Sequence, residues 1–448
     1  MTGPVHAEQA APLDGIGEAG FFLRRHRDVL AIILVGLLAR LAVLLLYLGT
    51  HGWKGEVWEY EVIATNLLEG RGFTIDYNNA TFRSFIVPVF PLLCAFLHAV
   101  GGPGLGLFYV FHLTVAAGIL SLTYTIAGQA FGRRPAVLAA LLAALEPGLI
   151  VYGSYKVDVI PFASLLVLLG LYLFMRLARS GDERFARWLG LVVGLAVLTR
   201  PDAVGLIAVV PAWLLIERRR ILEVLRPAVT VMLVALLVVA PWFVRNCAIH
   251  GRCVPLTTVA GEWFWRGNNP NATGTSVASD MRSQFDVAPR EFQQTILAAG
   301  EVEQDELFRR EALRYIADHP AASLGLALKK FYYFWWFTPS YGTRHYDWLP
   351  SLLVKAYKAL YFALSVLMAT GLWAVMRSGG PAARLGWTLL SVPVLVALIH
   401  SLNYVEGRHR VLVMPILLIF AAAGVAKLCE PGAREPVPSD ERGGRPLP

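Results

Sequence analysis

Residues 55–91 read GEVWEYEVIATNLLEGRGFTIDYNNATFRSFIVPVFP. The stretch is polar, bears carboxylates and is held between long apolar runs. Its first half predicts a short amphipathic helix. Val57, Tyr60, Ala64, Leu67 and Leu68 fall on one face at helical spacing. Glu56 and Glu59, three residues apart, share another face. Gly70 and Gly72 stop the helix. Two carboxylates therefore stand together where apolar chain gives way to a polar loop.

The flanking runs decide what kind of loop this is. Residues 29–48 carry one charge, Arg40, and are long enough to cross about 30 Å of hydrocarbon. Nine further apolar runs follow, at 105–131, 136–152, 159–177, 188–198, 203–216, 227–244, 352–376, 385–402 and 411–428. The 448-residue chain is 56% hydrophobic and only 16% charged, against about 25% charged in soluble domains. These features predict an all-α polytopic membrane protein. The net charge of +8 then reads as basic cytoplasmic loops, and no nucleic-acid partner is implied.

Charge also sets the topology. Arg24, Arg25 and Arg27 precede the first run and place the N-terminus inside. The clusters at Arg133/Arg134, Arg176–Arg187, Arg218–Arg226 and Arg377/Arg384 all fall inside if the short runs 85–100 and 321–337 lie at the interface instead of crossing. This predicts about ten crossings, or twelve if both short runs cross. The domains are then a cytoplasmic segment 1–28, a transmembrane domain 29–428 with outer loops at 49–104 and 245–351, and a disordered cytoplasmic tail 429–448. Within the large outer loop, the acidic stretch 280–318 reads by default as solvated charge. Cys247 and Cys253 lie in one polar segment, and the sequence leaves both a disulfide and two free thiols open.

The outer face gathers the unusual polar residues. Glu56 and Glu59 read either as ordinary solvated acids or as a general base or metal ligand at an apolar boundary, where burial raises a carboxyl pKa. Asp158 opens a crossing helix, as an N-cap before Pro161 or as a second acid, with Lys156 two residues away. Arg200, Arg245, Arg408 and Arg410 stand at outer helix ends, against the positive-inside bias. They suit lipid-headgroup contact or a phosphate clamp. Trp263 and Trp265, in EWFWRGNNPN with Asn268 and Asn269, read as an interfacial aromatic belt or as sugar-stacking groups.

In this order the strings resemble a known family. Gly55-Glu56, Glu59-Tyr60, Ile63-Ala64, Asn66-Leu67, Gly70 and Gly72-Phe73 look like the first-loop signature of bacterial GT-C glycosyltransferases. That family includes the dolichyl-phosphate-mannose-protein mannosyltransferase-like and aminoarabinose-transferase-like enzymes. Arg83 with Pro88 and Phe90-Pro91, then PWFVRN, GRCVPLTT, GNNPNATG and NYVEGRHRVLVMP, resemble later parts of the same family. The resemblance implies a GT-C-like helical bundle in the bacterial cytoplasmic membrane, with its site facing outward. It implies a polyprenyl-phosphate-linked sugar as donor, with an unassigned lipid, glycan or protein acceptor. Glu56 stands where the family usually has Asp, so Glu56, Glu59 and Asp158 are the expected catalytic acids. Arg83, Lys156, Arg200, Arg245, Arg408 and Arg410 are expected at the donor phosphate, and Trp263, Trp265, Asn268 and Asn269 at sugar or acceptor. No cofactor is required, and a divalent metal is left open. The competing class is a transporter or flippase of a lipid-linked or anionic solute, although the hydropathy pattern lacks the internal repeat common in transporters.

Overall fold

The computed structural model describes residues 15–51, 59–102, 104–208, 221–339 and 351–429. Glu56, with Val57 of the predicted apolar face, lies outside them. In chain order the helices are α1 (Gly15–His51), α2 (Glu59–Leu68), α3 (Val89–Gly101), α4 (Gly106–Phe131), α5 (Arg133–Leu145) and α6 (Pro147–Tyr152). They continue as α7 (Ile160–Ser180), α8 (Glu183–Val197), a 3-10 turn at Pro201–Ala208, α9 (Ile221–His250), α10 (Ala260–Arg266) and α11 (Arg290–Ala298). The last are α12 (Glu301–Asp318), α13 (Pro320–Trp335), α14 (Ser351–Arg377), α15 (Gly380–Leu402), α16 (Gly407–Val411) and α17 (Met414–Leu428).

Six described helices are long and apolar enough to cross a membrane: 27–50 of α1, α4, α7, 225–250 of α9, α14 and α15. They match six of the ten expected runs, and the chain is a multi-pass membrane protein. Three of the other four runs are corrected in length, while run 203–216 begins in the 3-10 turn and otherwise lies outside the described residues. Run 136–152 breaks at Glu146, whose carboxylate accepts from Leu149 N at 2.6 Å and restarts the chain as α6 with Pro147 in its first turn. Run 188–198 lies in the 15-residue α8, which spans about 22 Å. Run 411–428 is split by the turn between α16 and the 15-residue α17. The short runs form α3 and α13, of 13 and 16 residues. Neither meets the length and composition of a span.

The all-α expectation needs one amendment. The first loop contains a hairpin of β1 (Ile75–Tyr77) and β2 (Ala80–Phe82), with Ile75 opposite Phe82. Asn78 and Asn79 both take positive φ, 46° and 60°, as a two-residue hairpin turn requires. Three residues per strand are too few for alternation to be read from sequence.

The bundle core is built from small and branched residues. Ala139, Ala140, Ala143 and Ala144 of α5 are fully buried, as are Ile416, Leu418 and Ile419 of α17. Gly371 of α14 faces Gly424 of α17, and a Cβ at Gly371 would overlap Phe420 O. Small residues of this kind let transmembrane backbones approach closely. Gly371→Val should destabilise the protein by about 1–3 kcal/mol, seen as a lower unfolding temperature in detergent. An unchanged transition would contradict this packing.

The long segment between α9 and α14 is tied down by one buried lysine. Lys330 of α13 is fully buried. Its Nζ donates to Gly267 O at 3.1 Å, Asn268 Oδ1 at 3.1 Å and Asn403 O at 2.9 Å. Burial lowers its pKa to about 8. At Gly267 any Cβ would overlap Asn403 O. The solvated reading of 280–318 holds for most of its charges but not for Glu301 and Asp305 of α12, which are buried together with Gln304 and Phe308. Asp305 Oδ1 accepts from Gly261 N at 2.5 Å, and its other oxygen pairs with Arg309. Cys247 and Cys253 are free thiols.

Candidate active site

Two polar centres flank α2. The predicted amphipathic face holds in part: Ala64 is fully buried and Tyr60 packs edge-on against Phe90 at 5.0 Å, with Ile63 buried beside them, but Leu68 in the last turn is exposed. Gly70 and Gly72 end the helix with φ of 77° and 80°, values that favour glycine.

The first centre lies at the start of α2. Glu59 is half-buried there. Burial pushes its carboxyl above the ordinary range, Arg408 and Arg266 oppose the push, and Asp158 adds to it. Burial, then the charges of Glu59 and Asp158, hold the neighbouring Tyr60 phenol well above its usual value. Asp158 is buried. One oxygen accepts from Ile160 N at 2.9 Å, the helix-start role, and the other lies 4.0 Å from Arg408 Nη1. Asp158 thus stands one residue before the N-cap Val159, receives the first N–H of α7 and also faces the acid centre. Lys156 is buried, with its ammonium 5.9 Å from the centroids of both the Tyr152 and Tyr155 rings.

Two expected phosphate arginines reach this centre already neutralised. Arg408 Nε is 2.7 Å from Glu406 Oε2. Arg200 forks onto Asp202, with Nε at 3.0 Å from Oδ1 and Nη2 at 2.6 Å from Oδ2. Asp202 Oδ2 is also 3.0 Å from His400 Nε2, and the His400 ring stacks on His409 at 3.8 Å. Glu406, Asp202, His400 and His409 were not found from sequence. Asp202 directly follows Arg200-Pro201, and Glu406 stands two residues before Arg408, so the local acid–base spacing was the available signal.

The second centre is a pocket of about 850 Å³ along the C-terminal half of α2. Arg71, Arg83 and Arg245 line it with Asn66, Thr74 and Asp76. Arg245 stacks over Trp242 at 4.4 Å, and its Nη1 donates to Asn246 Oδ1 at 3.0 Å. Arg71 donates to Asn66 Oδ1 and pairs with Glu69. The Arg83 side chain is exposed, and among the described residues its hydrogen bond is the one its main-chain N–H donates to Glu301. The structure therefore separates the expected clamp into two sets, with Arg83 and Arg245 in this pocket and Arg200 and Arg408 at the acids.

Four expected contacts belong to the scaffold instead. Arg410 is buried, donates to Phe334 O at 3.3 Å and Trp336 O at 3.0 Å, and stacks on Tyr361 at 3.8 Å. Trp265 is buried against Phe308 at 5.1 Å. Asn268 Nδ2 donates to Phe264 O and Leu402 O, and Asn269 Nδ2 to Trp265 O while its Oδ1 accepts from Asn271 N. With their polar atoms so taken up, these asparagines hold the loop and do not face a ligand. Trp263 is half-buried in the cluster around Ile63, Phe85 and Trp242. Among the described residues no group of three His, Cys, Asp or Glu is placed to hold a metal ion.

The family model for dolichyl-phosphate-mannose-protein mannosyltransferase matches residues 87–244. No curated protein matches the chain. The oligosaccharyltransferase of Archaeoglobus fulgidus, tethered to an acceptor peptide with the NVT sequon, aligns over 91% of this chain and 50% of its own, at 12% identity and a TM-score of 0.53. The AglB oligosaccharyltransferase from the same organism, in complex with an inhibitory peptide and a dolichol-phosphate, aligns over 91% and 51%, at 11% identity and a TM-score of 0.51. ArnT from Cupriavidus metallidurans, bound to undecaprenyl phosphate, aligns over 90% and 78%, at 14% identity and a TM-score of 0.45. The chain spans about half the length of the archaeal enzymes. At this identity the likeness to the two archaeal enzymes establishes the fold alone, a GT-C-type helical membrane bundle.

Proposed function

We propose that this chain is a GT-C glycosyltransferase that moves a sugar from a polyprenyl-phosphate donor to an acceptor at the outer face of the bacterial cytoplasmic membrane. One observation carries this reading. The pocket with Arg83 and Arg245 abuts α2 at Asn66, and Glu59 stands at the start of the same helix. Glu59 and Asn66, a pocket residue, are seven residues apart, or about 10 Å of helix. A donor phosphate seated on the arginines thus reaches toward the carboxylates at its sugar end. Arg200 and Arg408 are each committed to a carboxylate, so the pocket arginines have the greater capacity for an added anion.

In the proposed reaction the acceptor hydroxyl or amine attacks the anomeric carbon. Its proton passes to a carboxylate of the Glu56–Glu59 pair. The bond from C1 to the phosphate oxygen breaks, and polyprenyl phosphate leaves with the electron pair. Such a leaving group needs charge stabilisation more than protonation, which Arg83 and Arg245 supply. A single displacement inverts the anomeric configuration. Asp158, bridged to Arg408, positions the acceptor side. Native mass spectrometry of the purified protein tests the donor assignment: a bound polyprenyl-phosphate sugar is expected, and its absence from Arg83→Ala protein marks the pocket.

Orientation is tested separately. Asn78→Cys and Asn271→Cys should label with a membrane-impermeant thiol reagent in intact cells, in a background without the native cysteines. Gly181→Cys and Gly379→Cys should not. The ten-crossing topology expected from the sequence, in which shorter runs cross beside the six span-length helices, places Gly379 inside, and labelling at Gly379→Cys would overturn it.

A further inference from the structure

We propose that Glu301 is a positioning residue for the donor clamp, holding the Arg83–Ser84 turn from behind so that Arg83 and Arg245 converge on one phosphate. The proposal rests on the assignment of the donor phosphate to that pocket.

Glu301 opens α12, more than two hundred residues beyond the turn it holds. Its carboxylate is buried and receives three donors. Arg83 N lies 2.8 Å from Oε2, Ser84 N lies 2.7 Å from Oε1, and Thr258 Oγ1 lies 2.5 Å from Oε1. Thr258 N also donates to Ser84 O at 2.9 Å. A carboxylate that accepts two consecutive backbone N–H groups fixes the chain direction at both residues. Here that direction sends the Arg83 side chain into the pocket.

The same turn sets the second arginine. Ser84 is fully buried. Its hydroxyl donates to Asn246 Oδ1 at 2.9 Å, lies 2.9 Å from His250 Nε2 and accepts from Arg245 Nη1 at 3.4 Å. His250 Nδ1 stands 4.0 Å from Glu301 Oε2, closing the ring of contacts. Glu301 therefore governs Arg83 through its main chain and Arg245 through Ser84 and, without touching either guanidinium, through its charge. The large outer loop is in this way coupled to the first loop at the point where the two supply one anion pocket.

The experiment measures donor KM and kcat in nanodiscs for the parent, Glu301→Gln, Arg83→Ala and the double variant. Glutamine keeps the shape but replaces one acceptor oxygen by a donor that faces a backbone N–H. Glu301→Gln should raise donor KM about tenfold, the effect of one lost charge-assisted hydrogen bond, with kcat within about twofold. In the Arg83→Ala background the same change should add little, because the group it positions is gone. Additive losses in the double variant, or a fall in kcat with KM unchanged, would overturn the positioning role. If Arg83→Ala itself leaves donor KM unchanged, the phosphate assignment fails and this proposal falls with it, an outcome distinct from a silent Glu301→Gln. Thr258→Val, a milder change to the same carboxylate, serves if Glu301→Gln does not fold. A raised donor KM supports the role, and an unchanged one overturns it.

Discussion

Glu56→Gln is expected to lower sugar transfer about 10²–10⁴-fold, the usual contribution of a general base, while donor binding persists. The reason is a division of labour between the two ends of α2. Under the proposed mechanism a carboxylate of the Glu56–Glu59 pair takes the acceptor proton, while the donor phosphate is held in the arginine pocket, whose residue Asn66 lies about 10 Å along α2 from Glu59. Glu59→Gln should cost less. Both variants should fold, since glutamine keeps shape and hydrogen-bonding capacity at a polar boundary. Full activity in Glu56→Gln with a loss in Glu59→Gln would move the base to Glu59. In that case the acid limb of the kcat/KM profile should lie above the ordinary carboxylate range, because burial favours the neutral Glu59 carboxyl and activity falls as the pH drops through its raised pKa. Full activity in both variants leaves Asp158 as the remaining acid.

Arg245→Lys is the second large effect, with donor KM raised about 10–100-fold. Lysine keeps the charge but loses the planar fork. In this site it also loses the stack over Trp242 and the bond to Asn246 Oδ1. Arg83→Ala should have an effect of similar size. By contrast Arg410→Lys should leave donor KM unchanged and reduce stability, because its guanidinium serves Phe334 O, Trp336 O and the Tyr361 ring. Donor titrations in nanodiscs separate these cases. An Arg245→Lys protein with parental donor affinity would assign that arginine to the headgroup boundary.

The residues that carry periodicity or composition were legible from the chain alone. Tyr60, Ala64 and Leu67 announced α2, Gly70 and Gly72 its end, and the six long apolar runs the bundle. What escaped was pairing between segments distant in sequence. Arg200, Arg245, Arg408 and Arg410 share one local signature, an arginine at an outer helix end, yet they have three different environments. Arg200 and Arg408 are held by Asp202 and Glu406, Arg245 lines an open pocket, and Arg410 is sealed under aromatic rings. Which fate befalls each depends on tertiary neighbours that local spacing does not encode. Glu301 escaped for the same reason. Its partners at Arg83 and Ser84 lie more than two hundred residues upstream, so it read as one more acid on a charged helix.

The most direct test of the account follows a radiolabelled sugar presented as its polyprenyl-phosphate ester to membranes bearing the parent or Glu56→Gln. The account predicts that the parent moves label from the lipid into an acceptor fraction and releases polyprenyl phosphate, while Glu56→Gln binds the donor and leaves it intact. Label that crosses the bilayer still joined to its lipid, equally in parent and variant, would contradict it and make the chain a transporter.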